Sequence, residues 1–373
     1  MTDSWRVAVI HDYLTQRGGA ERVVLTLQAA FPGARLLTSV LDAGGTFPRF
    51  GEIAVETTWL DRIPWFRRDP RRALPFLAWT FGRLQVQDVD VVLCSSSGWA
   101  HGVRTTAPKV VYCYTPPRWL YEVDDYVEKQ SPVAQAAIGL LAPYLRRWDR
   151  RAAAGADRYL TTSTVVQQRI AQVYGINARV VPPPVMIDVT GPQTPLVGVE
   201  PGFHLVVGRA RSYKNTGVVC EAFRELPDER LLVVGGLPEP ERGQSWPANI
   251  TGFVDLTDAQ LRWAYAHCSA VVSLANEDFG LTPLEGNAFG KPAVVLRAGG
   301  FLDTLVEGVT GEYIDSVEAV SVVRAVRACR ARVHDVGALQ AHAARYSPET
   351  FAAALRAEVA SALDEVTRAR RLR

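Results

Sequence analysis

Two acids, Glu277 and Glu285, bracket the stretch EDFGLTPLE, which continues as GNAFGKP. An apolar run, Ala270–Leu274, leads into it and a helical pattern leaves it. Thr282, Pro283 and Glu285 read as the cap, first-turn proline and third-position carboxylate of a helix. Such a helix tip offers unpaired N–H groups and a positive dipole end to a phosphate or sugar oxygen. Gly280 lets the backbone come close to that ligand. A capping box by itself accounts for Glu285, and so does a ligand hydroxyl. Neither Glu277 nor Asp278 is needed for capping. Both fall past the carboxyl end of a strand, where α/β proteins hold ligands.

A second group is Gly208, Arg209 and Lys214 in VVGRARSYKN, between the strand His204–Val207 and a helix. Two fixed cations there suit a diphosphate leaving group, because they offset charge that grows as a bond to it breaks. Arg211 competes for either role, and a solvated basic turn is the plainer alternative. Gly18–Gly19, in HDYLTQRGGAERV, form a strand-to-helix turn without the GxGxxG spacing of a dinucleotide site. Its amides suit a phosphate or an acceptor hydroxyl, and Glu21 follows at the dipole. Gly235–Gly236 repeat the theme further on, and Gly252, Phe253 and Val254 offer an edge for a nucleobase. His11 and His101, the latter in SSSGWAHGV, are first read as caps or satisfied core groups. His101 stays a candidate for substrate binding.

Short apolar runs alternating with helical patterns must position these residues, which is the signature of parallel α/β sheets. In the first half the runs are Arg6–Ile10, Ala34–Val40, Asp90–Cys94, Lys109–Tyr114 and Arg158–Thr162. Helices are expected at Ala20–Phe31, within Val133–Ala154 and at Val165–Tyr174. The prolines of VVPPPV, Val180–Val185, end a domain, and a polar stretch over Asp188–Gly202 follows. The alternation restarts with strands His204–Val207, Arg230–Val234, Ala270–Leu274 and Pro292–Leu296 and helices Thr216–Arg224 and Asp258–His267. The expectation is two Rossmann-like domains, 1–190 and 191–345, joined near Pro182–Pro201 with a cleft between them. Residues 346–373 are expected as a final helix opened by Ser347, Pro348 and Glu349.

Composition narrows the chemistry. With 373 residues, 48% of them hydrophobic, two cores are within reach. A net charge of +2 excludes a global basic field for nucleic acid. Five scattered cysteines without CxxC or ligand spacing suit a reducing cytosol and argue against zinc. No run of 18 apolar residues and no leader pattern is seen, so a cytoplasmic location is expected. One local exception to the mild charge is Trp59–Leu84, which mixes six arginines with Trp59, Trp65, Phe66, Leu74, Phe76 and Trp79. It fits an inner-leaflet surface and a lipid-diphosphate acceptor, or equally a loop leading into a core helix with Phe76 and Trp79 buried.

Taken in order, the GGAE turn, the Gly-Arg…Lys pair, the Glu277…Glu285 element and the YSPETF segment resemble the GT-B retaining glycosyltransferases of family 4, along nearly the whole chain. SSSGWAHGV followed by VYCYTPPRWLYE is similar to the branch of O-antigen and capsular-polysaccharide mannosyltransferases. The resemblance implies that Glu285 holds the ribose hydroxyls and Glu277 the donor sugar. It places amides of Phe279, Gly280 and Leu281 near sugar and phosphate; Thr282, Gly208, Gly235, Phe253 and Val254 are the further candidates for nucleotide contact, from their positions in the turns. Arg209 and Lys214 would grip the diphosphate, and Gly18–Gly19 would lie near phosphates or acceptor. Where the branch has a histidine beside the transferred sugar, this chain has Tyr114, which donates a hydrogen bond but carries no charge near neutral pH. A front-face reaction is implied, in which the leaving diphosphate oxygen takes the acceptor proton. No metal and no cofactor are implied beyond the nucleotide diphosphate-sugar, with GDP-mannose the first candidate. The partners implied are that donor, a glycan, polyprenyl-linked or small-molecule acceptor, and no nucleic acid. A nucleotide-sugar 2-epimerase of the same fold and a non-catalytic nucleotide-sugar-binding partner are the competing readings.

Overall fold

A computed structural model describes residues 5–122, 132–208, 214–240 and 245–371. The chain divides into two compact units, Met1–Pro183 with Glu349–Arg373, and Pro184–Pro348. Helices of eight or more residues are numbered in chain order.

The first unit is built on strands β1 (Val7–His11), β2 (Arg35–Thr38), β3 (Val55–Thr57), β4 (Val91–Ser96), β5 (Lys109–Cys113), β6 (Arg158–Thr161) and β7 (Arg179–Val180). They form one sheet in the order β3-β2-β1-β4-β5-β6-β7, every pair parallel. Order reverses between β1 and β4, so the turns leaving those two strands diverge and open a crevice at their carboxyl ends. Its helices are α1 (Gly19–Ala30), α2 (Leu74–Phe81), α3 (Pro132–Ala154), α4 (Thr164–Tyr174) and α10 (Pro348–Arg371). Because side chains alternate along a strand, Ala8, Ile10, Val92 and Cys94 bury on one face with Leu77, Phe81 and Ile170. Val7, Val9, Val91 and Leu93 bury on the other face with Leu27 and with Phe351, Leu355 and Val359 of α10. Each of those last three side chains contributes about 1.5–3 kcal/mol by leaving water. Arg356 adds two hydrogen bonds to the Ala30 carbonyl, at 2.7 and 3.0 Å.

The second unit has β8 (His204–Val207), β9 (Leu231–Val234), β10 (Ile250–Phe253), β11 (Ala270–Ser273), β12 (Ala293–Leu296) and β13 (Gly311–Ile314). Their order is β10-β9-β8-β11-β12-β13, again all parallel, with the reversal between β8 and β11. Helices α5 (Thr216–Arg224), α6 (Asp258–His267), α7 (Leu281–Ala288), α8 (Ala319–Ala331) and α9 (Val336–Ala344) flank it. Phe223, Val272, Phe301 and Val326 fill one face, and Leu205, Leu232, Trp263 and Tyr265 the other. The polar stretch after the prolines is not a bare linker. Leu196 is buried with Phe203 and Trp263, and Thr194 N–H bonds to the Ala259 carbonyl at 3.1 Å.

Candidate functional site

In the second unit the reversal of strand order brings together two segments far apart in sequence. Lys214 follows β8, Glu277 follows β11, and their side chains form an ion pair. Each is less than a quarter exposed. Lys214 crosses the face of Gly208, where a Cβ would stand 3.2 Å from its Cε. Asn215, beside it, donates from Nδ2 to the Leu274 carbonyl at 2.9 Å and ties the two segments together. Arg209 and Arg211 lie outside the described residues.

Helix α7 starts earlier than the Thr-Pro-x-Glu pattern predicts. Its N-cap is Gly280 at φ 85°, it begins at Leu281, and no side chain caps it. Thr282 is therefore not the cap, and Pro283 is its third residue. That position tolerates proline because the first four N–H groups of a helix have no intrahelical partner. A capping box does not account for Glu285 either. Its Oε2 accepts a 2.5 Å hydrogen bond from the buried Tyr265 hydroxyl, whose ring stacks on Phe289 at 5.8 Å.

Gly280 is required twice, by its left-handed φ and by Phe301, whose Cε1 would stand 2.3 Å from an added Cβ. Gly299–Gly300, which the sequence reading passes over, brace the loop from behind. Gly300 N–H donates to the Glu277 carbonyl at 2.8 Å, and a Cβ on Gly299 would meet that oxygen at 2.4 Å. Phe279 is buried against Val185 and Leu284 and tilts on Tyr346 at 5.9 Å.

Gly235 sits in a turn after β9, where its N–H and that of Gly236 both go to the Phe253 carbonyl, at 2.7 and 3.1 Å. The Gly208 N–H is likewise used, by the Val234 carbonyl at 2.9 Å. Phe253 ends the edge strand β10, half-buried, and Val254 beside it is exposed.

The first unit has its own cluster at the β1/β4 reversal. His11 Nδ1 lies 3.1 Å from the Ser95 carbonyl and 3.0 Å from its Oγ. Ser95 Oγ is 2.8 Å from the Tyr114 hydroxyl, which donates to the Ala20 carbonyl at 3.1 Å. Tyr114 thus braces the start of α1, and burial holds its hydroxyl protonated, far above the ordinary tyrosine range. Glu21, also buried, sits 4.0 Å from His11 Nε2, with its Oε2 folded against Gly18. Gly19 beside it is exposed.

Sequence reasoning overlooked Asp12, although it sits beside His11. Its buried carboxylate accepts from the N–H groups of Ser97 (2.6 Å), Trp99 (3.2 Å) and Ala100 (2.6 Å) and from Ser96 Oγ (3.3 Å). It thereby fixes the turn after β4.

His101 is not placed for substrate. It is buried 3.0 Å from Asp149 Oδ1 through Nε2 and 3.2 Å from the Tyr159 hydroxyl through Nδ1, packed against Trp148. Surface depressions along Ala153–Leu160 and along Glu225–Glu229 lie at the amino ends of strands, away from Lys214, Glu277 and Glu285.

Two doubly wound units, each gathering its polar residues where strand order reverses, define a GT-B glycosyltransferase fold. A Glycosyltransferase Family 4 model matches residues 17–189 and a Glycosyl transferases group 1 model matches residues 196–329, and the chain belongs to that family. The D-inositol 3-phosphate glycosyltransferase of Segniliparus rotundus is 28% identical over 242 residues, 56% of this chain and 53% of that protein. The enzyme of the same name from Mycobacterium bovis is 29% identical over 254 residues, 58% of this chain and 51% of that protein. The chain thus spans about half the length of these curated relatives.

Among solved structures, Anabaena HepE in complex with UDP-glucose superposes with a TM-score of 0.67 at 18% identity, covering 95% of this chain and 99% of that one. Sucrose-phosphate synthase from Thermosynechococcus elongatus gives 0.67 at 15% identity, covering 95% and 98%. Such identities carry the fold alone.

Proposed function

We propose that the chain moves a hexose from a nucleotide diphosphate-sugar to an acceptor with retention at the anomeric carbon. The second unit holds the donor. Lys214, with Arg209, meets the diphosphate, Glu277 the sugar, and Glu285 the ribose hydroxyls. The amides of Phe279, Gly280 and Leu281 point toward sugar and phosphate. As the glycosidic bond breaks, charge gathers on the diphosphate oxygen, where the cations and the tip of α7 stabilise it. That oxygen takes the proton of the attacking acceptor hydroxyl, so no separate general base is assigned. The acceptor is a glycan, a lipid-linked sugar or a small molecule, and GDP-mannose is the first donor to test.

One observation carries this reading: Lys214 and Glu277 meet at the β8/β11 reversal, beside a helix tip with no side-chain cap. The nucleotide-sugar donor draws support from the family and from the UDP-glucose complex of HepE.

A thermal-shift panel of GDP-, UDP-, TDP- and ADP-sugars tests it. Ligand at a hundredfold excess over Kd stabilises the native state by about 2.7 kcal/mol, so the right base stands out. Lys214→Met abolishes that shift. A shift that survives both Lys214→Met and Glu285→Gln places the donor elsewhere and ends the proposal.

A further inference from the structure

Residues 59–83 leave apolar and cationic side chains on the surface of the first unit. The segment is a chain of short elements, Trp59–Arg62, Pro64–Arg68, Pro70–Ala73 and α2. Its inner side is satisfied: Leu60, Phe66, Ala73, Leu77 and Phe81 enter the core. Its outer side carries Trp65 at 62% exposure, Trp79 at 48%, Phe76 at 43% and Trp59 at 39%. Three of these rings are contiguous, since Trp59 meets Phe76 at 6.0 Å and Trp79 at 6.1 Å. The reading of Phe76 and Trp79 as buried core residues is therefore corrected. A contiguous exposed aromatic cluster signals a binding surface.

The charges around it choose the partner. Arg62, Arg67, Arg68, Arg71, Arg72 and Arg83 outnumber Asp61 and Asp69. Asp69 is engaged by Arg71 at 2.8 Å and Arg72 at 3.6 Å. Arg62 and Arg68 are exposed and have no acidic partner among the described residues. Arg72 lies 4.5 Å over the Trp65 ring and Arg83 4.7 Å over the Trp79 ring. A guanidinium above an indole can hold a phosphodiester while the ring beneath enters the headgroup boundary.

A stacking platform for nucleic-acid bases needs open parallel faces. Here the rings stand edge to face, with interplanar angles of 78° and 86°. On α3, which packs on α2, Leu140, Tyr144, Arg147 and Arg151 share one exposed helical face and repeat the pairing of apolar and cationic groups.

We infer that this face docks the first unit on a bilayer containing anionic lipid. The inference rests on the proposed transferase reading only for its consequence, that the acceptor is lipid-linked; vesicle binding itself needs no donor. The full chain is sedimented with phosphatidylcholine vesicles with and without phosphatidylglycerol, at low and high salt. Binding is expected with phosphatidylglycerol and is weakened by salt. Arg62→Gln with Arg68→Gln lowers partitioning about twenty-five-fold, about fivefold for each charge. Trp65→Ser with Trp79→Ser lowers it about tenfold. The arginine pair, both exposed, keeps the test open should the tryptophan pair disturb folding.

Absence of binding to anionic vesicles at low salt overturns the inference. So does binding that both variant pairs leave unchanged, or self-association of the chain that the tryptophan variants abolish without any vesicle binding. A thermal shift by nucleotide-sugar, measured separately, keeps its failure distinct from failure of the donor reading.

Discussion

Gly280→Ala is the sharpest probe of how the second unit holds its helix tip. The residue sits at φ 85°, a region that costs an L-residue about 1–2 kcal/mol. The new methyl would stand 2.3 and 2.5 Å from Cε1 and Cδ1 of Phe301. Phe301 is fully buried, so its ring cannot swing into solvent, and overpacking adds about 1–3 kcal/mol. The two effects together predict a loss of about 2–5 kcal/mol, a large part of the stability of a typical domain.

Hydrogen exchange of β11 and β12 in increasing urea reads the second unit separately from the first. Phe301→Leu removes the clashing ring atoms but leaves the left-handed strain. The double variant should therefore be more stable than the sum of the two single losses by about 1 kcal/mol or more. A Gly280→Ala loss below about 1 kcal/mol, or strict additivity with Phe301→Leu, refutes the account of this turn.

Glu277→Gln separates chemistry from stability. A partly exposed ion pair is worth about 1 kcal/mol, whereas a lost transition-state contact lowers kcat by roughly 10²–10³. Turnover measured beside urea unfolding decides between them, and an activity loss no larger than the stability loss makes the pair structural. Asp12→Ala leaves the N–H groups of Ser97, Trp99 and Ala100, the last two buried, without an acceptor and should destabilise the first unit by about 3 kcal/mol or more, read from hydrogen exchange of β4. Asp12→Asn should retain part of that.

The thiols of Cys94, Cys220, Cys268 and Cys329 are pushed by burial from an ordinary 9.0 up to about 12. The native state then keeps protons that the unfolded chain releases. Stability is full below the unfolded value of 9.0 and falls as pH climbs through the window toward about 12. Urea midpoints across that range should decline. A native thiol among these four that reacts rapidly with a chromogenic disulfide near neutral pH would contradict their burial.

Much of the fold can be read from the chain because interior strands of a parallel sheet are buried on both faces and appear as unbroken apolar runs. β1, β4, β5, β8, β11 and β12 all announce themselves this way. The strands that pass unrecognised, β3 (VET), β7 (RV), β10 (ITGF) and β13 (GEYI), are the four sheet edges. An edge has one neighbour, and β3, β7 and β10 are mostly half-buried or exposed, so their composition carries less of the pattern, while β13 is largely buried but only four residues long and opens with Gly and Glu. The placement of Glu277…Glu285, Lys214 and the Gly18–Gly19 turn after strands is legible in the sequence.

Their partners are not. Tyr265 reaches Glu285 from another helix, Gly299–Gly300 support Glu277 from the next strand's exit, and Ser95 meets both His11 and Tyr114 across the sheet. Local sequence even misplaced the start of α7, because proline, favoured at the first position of a helix, is also tolerated at its third. Residue type and order determined which segments are strands, turns and helix tips. Strand order, set by long-range packing of both faces of each sheet, alone decided which of those turns meet.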